Sequence, residues 1–206
     1  MRRRDQASRR KQLAEAGRQV LLERGAVGLR VKDIAERAGI APSSVLYYYP
    51  RIDELMMEVS RDATERYAEH RSQQVKALDD PVRQLRLAIH LGVPTGPDDE
   101  DSRLLYELDA FTGISPAFAV MSTSFFDRQV ALYEYVLETG AARDLFDLGG
   151  IPAATIARGI VALEDGLGLQ VVLQHPGVDS EAAERTLLDF AGSLIGVDLT
   201  GVELPR

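Results

Sequence analysis

The sequence predicts an all-α chain, with an N-terminal three-helix helix-turn-helix unit and a longer C-terminal helical domain. Three observations carry this expectation. Leu29–Leu55 (LRVKDIAERAGIAPSSVLYYYPRIDEL) reads as two short helices, a tight turn between them, and the start of a third. Apolar residues recur at helical spacing through most of the remaining chain. The 206 residues, 45% of them hydrophobic, suffice for a sizeable core, and the composition is not that of a disordered chain. The expected division is residues 1–51 for the first domain and 52–206 for the second.

Taken in order, Met1–Arg10 (MRRRDQASRR) reads as a basic arm, free either to fray or to reach DNA. From about Gln6 to Glu23 the stripe Leu13, Ala16, Val20 and Leu21 marks a helix that Arg24-Gly25 closes. Val31, Ile34, Ala35 and Ala38 follow at i, i+3, i+4 and i+7. Gly39 stops that helix, because glycine takes the left-handed conformation without a Cβ clash. Pro42 suits the first position of the next helix, which runs to Tyr49 with Val45 and Tyr49 inward. Pro50 ends it. A long helix is expected over Ile52 to about Leu78, with Leu55, Met56, Val59, Ala63, Tyr67 and His70 on its stripe. Asp80 should cap a helix over Val82 to about Leu91. The acidic loop Val93–Asp101 then solvates itself and faces the positive N-terminus of a short helix, Ser102–Phe111. Ser115-Pro116 opens a helix to about Thr139. After a connection over Gly140–Pro152 come two apolar helices, about Ala153–Gln174 and Ser180–Ile195.

A helix-turn-helix places one helix in the major groove while the first braces across the backbone. Three runs stand in order around it: Ile34-Ala35-Glu36-Arg37-Ala38-Gly39-Ile40, then Val45-Leu46-Tyr47-Tyr48-Tyr49-Pro50, then Asp53-Glu54-Leu55. In these runs the chain resembles the TetR (tetracycline repressor) family of bacterial transcriptional regulators. The resemblance implies a DNA-facing set of Lys32, Pro42, Ser43, Ser44, Leu46, Tyr47, Tyr48 and Arg51. Leu46 stands for a frequent tyrosine, Ala41 for a frequent serine cap, and Ile52 for a frequent lysine, with Arg51 as a substitute charge. The resemblance also implies a homodimer on a pseudo-palindromic operator, with the last two helices as the dimer interface. Ile160, Val171, Leu187, Phe190 and Leu194 are the expected dimerisation residues.

Charge supports the same reading. Residues 1–50 hold 11 Lys/Arg against 5 Asp/Glu, a balance of +6, and residues 51–206 hold 13 against 27, a balance of −14. The basic surface therefore lies where phosphate binding is expected. The chain has no cysteine, so thiolate and disulfide chemistry are excluded. No apolar run approaches the ~20 residues of a membrane span. The basic N-terminus lacks the apolar core of a signal peptide, and a cytoplasmic protein is expected.

An effector pocket is expected around the helix after Pro116, whose apolar stripe carries Ser122 and Gln129. A pocket uses such groups to orient a ligand. The expected lining is Leu85, Ile89, Phe111, Phe118, Ser122, Phe125, Gln129, Tyr133, Leu163, Glu164 and Leu167, around a small hydrophobic effector. Glu164 and Asp165 interrupt an apolar helix; a buried acid there would bind a cationic ligand or shift its own pKa, and an exposed edge position is the alternative. His70, His90 and His175 lack metal-like spacing, and no phosphate loop or nucleophile turn is present. No catalytic residue, metal or cofactor is expected. The competing reading is an all-helical small-molecule binding protein or enzyme with an incidental helix-turn-helix.

Overall fold

The structure is a computed structural model that describes residues 2–113 and 115–204, with side chains from Gln6. All regular structure among these residues is helical: α1 (Arg2–Gly28), α2 (Val31–Arg37), α3 (Pro42–Tyr48), α4 (Ile52–Lys76), α5 (Pro81–Gly92), α6 (Glu100–Asp109), α7 (Pro116–Ala142), α8 (Ala153–Val172) and α9 (Ser180–Ile195). The chain forms two compact units. The first is Met1–Arg66 with Arg103–Thr123, and the second is Tyr67–Ser102 with Ser124–Arg206. Thus α4, α6 and α7 each contribute to both, whereas the sequence places a single boundary at 51/52.

Local chemistry accounts for the helix limits. The break expected at Gly25 occurs there, at φ 68° and ψ 171°, and α1 resumes beyond it to Gly28. The region read as an arm is helical from Arg2, in keeping with its Arg, Gln and Ala content. Met1, and the side chains of residues 2–5, lie outside the described residues. Pro42 occupies the first turn of α3, and Ala41 at its N-cap supplies no side-chain hydrogen bond. The Asp80 carboxylate accepts from the Val82 amide at 3.0 Å and Asp179 from Ala182 at 2.8 Å. In the acidic loop, Asp99 accepts from the Ser102 amide at 2.9 Å and from the Thr95 amide at 3.0 Å. That cap starts α6 two residues earlier than the spacing predicts, with Glu100 and Asp101 in the turn where negative charge is favoured. Burial works against the Asp99 charge, but these hydrogen bonds hold its pKa below the ordinary carboxylate value.

In the first unit Leu13, Leu21, Ile34, Val45, Tyr49, Leu55 and Met56 form a core with Leu104, Leu108, Phe111 and Phe118. The rings of Phe111 and Phe118 stack at 5.3 Å. Two contacts from α6 hold the α1 break. Glu107 accepts from the Ala26 amide at 2.7 Å, and Arg103 donates to the Leu22 carbonyl at 3.1 Å. The amide and carbonyl freed at the break are therefore satisfied by side chains.

The second unit closes over Leu85, Ile89, Tyr133, Val136, Leu137, Ile156, Ile160, Leu187 and Ile195. Of the residues read as a dimer interface, Ile160, Val171 and Leu187 lie in this internal core, at 0–2% exposure, and Leu194 is half-buried against it. Their periodicity marks the monomer's inward face. The exposed large apolar groups here are Leu169 on α8 (40% exposed), Leu173 at its C-cap (70%) and Phe190 on α9 (37%). Leu187→Asp places an unpaired charge in the core and should abolish the cooperative unfolding transition. Phe190→Asp should retain helix content by circular dichroism and sediment as a monomer where the unaltered chain sediments as a dimer.

Candidate functional site

Two sets of residues draw attention, one in each unit. In the first, α3 turns Val45 and Tyr49 inward and leaves Ser43, Leu46 and Tyr47 exposed, with Ser44 and Tyr48 half-buried. The Tyr47 and Tyr48 rings meet edge-on at 5.2 Å. Arg10 fixes the end of this helix. It donates to the Tyr48 carbonyl at 3.1 Å and to Glu58 at 2.7 Å, and its guanidinium lies 4.2 Å from the centre of the Tyr49 ring. The Tyr49 hydroxyl donates to the Arg10 carbonyl at 3.3 Å, and burial beside Glu58 pushes its pKa up. Tyr49 is thus a packing residue, while Tyr47 is presented outward and Tyr48 lies half-buried against the core.

Cations flank the exposed face of α3. Lys32 is exposed at the start of α2 and, like Arg30, has no acidic partner among the described residues. Arg51 is exposed but bonded to Asp53, with Nε to Oδ1 at 2.9 Å. That hydrogen bond lowers the Asp53 pKa. Pro42, also in the expected DNA-facing set, is exposed at the start of α3.

In the second unit three of the expected pocket residues, Gln129, Tyr133 and Glu164, gather around a group that sequence reasoning missed. Arg71 of α4 is 2% exposed. Its guanidinium donates to both carboxylate oxygens of Glu164 on α8, at 2.9 and 2.6 Å. It also donates to Gln129 Oε1 and to the Tyr133 hydroxyl on α7, each at 2.7 Å. On α5 it donates to the Ala88 carbonyl from Nε at 3.2 Å and from Nη2 at 2.7 Å. Tyr133 in turn donates to Glu164. Two aromatic rings border the cation, Tyr133 at 5.1 Å and Tyr67 at 6.0 Å from its carbon. Tyr67 donates to the Leu91 carbonyl at 3.2 Å and meets Phe125 edge-on at 5.8 Å. The backbone closes on this cluster at Gly92, where a Cβ would stand 2.1 Å from Glu164 Oε2 and 2.3 Å from Arg71 Nη2.

The electrostatics follow from this geometry. Burial opposes the charge on Arg71, but Glu164 and the two tyrosines outweigh it, so its pKa stands well above the arginine value. Burial, partly offset by Arg71, pushes the Tyr133 hydroxyl well up and the Tyr67 hydroxyl to about 12. Both tyrosines are therefore neutral at physiological pH, and the cluster is one cation paired with one carboxylate.

The remaining pocket residues divide between the units. Leu85 and Ile89 are buried in the second core, with Leu163 and Leu167 half-buried against it. Phe111 and Phe118 belong to the first core, and the Ser122 hydroxyl lies 3.4 Å from Asp109. Asp165, next to Glu164, is exposed. An open groove of about 570 Å³ runs between α4 and α7, lined by Ser72, Gln73, Lys76, Arg128, Gln129 and Leu132, among others. Gln129 belongs to both the groove and the Arg71 cluster. Among the described residues no group of His, Cys, Asp and Glu could hold a metal ion.

Known proteins match both units. Residues 13–59 match the model for bacterial regulatory proteins of the tetR family, and residues 81–196 match the model for the BetI-type transcriptional repressor C-terminal region. The chain is 26% identical over 195 residues to the HTH-type transcriptional regulator PksA of Bacillus subtilis, covering 92% of this chain and 91% of that protein. A transcriptional regulator from Saccharomonospora viridis, solved in complex with choline, superposes with a TM-score of 0.84 at 21% identity, over 92% of this chain and 98% of the other. The multidrug binding protein EbrR, solved with imidazole, superposes at 0.62 with 24% identity, over 96% and 97% of the two chains.

Removing one partner of a buried ion pair leaves the other uncompensated. Arg71→Met and Glu164→Leu should each lower unfolding stability in urea by about 3–5 kcal/mol. The double variant should recover much of that loss, because it leaves neither charge behind.

Proposed function

The chain belongs to the tetR family of bacterial regulatory proteins and is a transcriptional regulator; from that premise we propose that it is a homodimeric repressor released from its operator by a small cation. The observation that carries the effector class is the Arg71 cluster. Glu164, Gln129, Tyr133 and Tyr67 surround a cation with a carboxylate, an amide oxygen and two ring faces. Those are the groups that recognise ammonium and guanidinium ligands. Arg71 itself fills the place that such a ligand would take. The Saccharomonospora neighbour's choline and the EbrR imidazole support a cationic or cation-forming ligand. The small hydrophobic effector read from the sequence is narrowed in this proposal to one with an apolar body and a positive charge, since Gln129, Tyr133 and Glu164 already surround a cation.

The mechanism is an exchange. A ligand cation reaches the cluster past Gln129, pairs with Glu164 and frees Arg71. The bonds that tie α4 to α5, α7 and α8 are then lost. Because α4 begins at Ile52 with Leu55 and Met56 in the DNA-binding core, a shift of this helix alters the setting of α3. A ligand acts only to the extent that it binds the two arrangements with different affinity. The protein is read as a non-catalytic regulator working in the cytoplasm; no helix among the described residues is long and apolar enough to cross a membrane. The expected dimer uses Leu169, Leu173 and Phe190 as its apolar contact.

Choline and its neutral isostere 3,3-dimethylbutanol separate charge from shape. Choline, or another quaternary ammonium in a panel, should raise Tm and weaken binding to a selected operator duplex. At a hundredfold excess over Kd it adds about 2.7 kcal/mol of stability. The neutral isostere should do neither, and Glu164→Gln, which breaks the same tie without ligand, should weaken operator binding on its own and remove the further response to choline. Equal responses to the charged and neutral compounds, or none across the panel, would contradict the cationic effector.

A further inference from the structure

The outward face of α3 has no charged or amide side chain. Between Ala41 and Pro50 the chain reads Pro-Ser-Ser-Val-Leu-Tyr-Tyr-Tyr, without Arg, Lys, Asn, Gln, Asp or Glu. Its exposed large apolar groups are Tyr47 at 72% and Leu46 at 44%, beside the exposed Ser43. Each base pair in the major groove has a preferred side-chain partner. Guanine takes Arg or Lys, adenine takes Asn or Gln, and cytosine takes an acid. Hydroxyls serve several bases, and apolar groups pack on the thymine methyl. Only the last two kinds are available on α3.

The nearby cations do not supply the missing readers. Arg30 at the N-cap of α2 and Lys32 in its first turn belong to the helix that braces across the backbone, and the Arg51 guanidinium is taken by Asp53. Phosphate contacts of that kind position a protein and specify no sequence.

Resting on the reading that α3 enters the major groove, we infer that the operator half-site is specified by thymine methyl groups packed against Leu46 and Tyr47. No bidentate contact to guanine contributes. Ser43 adds a hydroxyl contact that tolerates more than one base. The operator is thus read through apolar complementarity, and its best-defined positions are T·A pairs.

Selection from randomised duplex DNA with the full chain yields the preferred sequence. Thymidine at the best-defined positions is then replaced by deoxyuridine, which removes only the C5 methyl. Affinity should fall about fourfold per methyl, the equivalent of burying one methyl group. Leu46→Ala or Tyr47→Ala should erase the thymine–uracil difference at one position each. Both variants should keep the helix content and unfolding transition of the unaltered chain, because neither side chain lies in the core. Equal binding of the thymine and uracil duplexes, or a consensus whose best-defined positions are G·C, would overturn the inference. Failure to enrich any sequence would overturn the DNA-binding reading itself, and this inference with it.

Discussion

The second unit depends on one buried guanidinium. Arg71 joins four helices, since its donors reach α5, α7 and α8 from α4. Taking a charge this far from water costs several kcal/mol, and only close, well-directed partners offset it. The cluster meets that demand with two carboxylate oxygens, an amide oxygen, a phenol and a backbone carbonyl. Five donors in a fixed planar fork can satisfy such a set, and a lysine ammonium could not. Apolar packing would hold the same helices together more simply. In the proposed exchange, this polar interior is where an effector cation would replace Arg71.

The first unit solves a different problem. It presents an uncharged reading surface within a basic surround. The α3 face is apolar and hydroxylic, while positive charge sits on α1, α2 and the residue after Pro50. Several of those cations are neutralised locally: Arg10 by Glu58, Arg37 by Glu23, Arg24 by Asp33 and Arg51 by Asp53. Such pairing moderates general attraction to phosphate. The acidic balance of the remaining chain works in the same direction.

Much of the fold was legible because helices announce themselves through period and punctuation. Val31, Ile34 and Ala35, then Gly39, Pro42 and Pro50, fixed α2 and α3 closely, and Asp80 capped as its spacing predicted. The start of α6 moved for a side-chain reason, the Asp99 cap. The site was less legible. Periodicity placed Gln129 and Tyr133 on an inward face and left Glu164 open between burial and an exposed edge, but it ranks an arginine as a surface residue. Arg71 follows Thr64 and Tyr67 along the inward side of α4, and its partner is 93 residues away. The available signal was an acid set inside the apolar α8 facing an unexplained inward base on α4. The dimer residues show the same limit. Ile160 and Leu187 lie on strongly apolar stripes, yet a stripe alone does not say whether the monomer or a second copy covers it.

Nuclear magnetic resonance of the arginine side chains reports on the buried cation itself. In protein without ligand, the Arg71 Nε–H signal, assigned by its absence from Arg71→Lys, should exchange with water far more slowly than the signals of exposed arginines such as Arg61 and Arg185. Saturating quaternary ammonium should restore fast exchange as the guanidinium leaves Glu164. An Arg71 signal that exchanges at the solvent rate without ligand would show that the cluster is not closed. One that stays protected with ligand bound would show that the effector acts elsewhere.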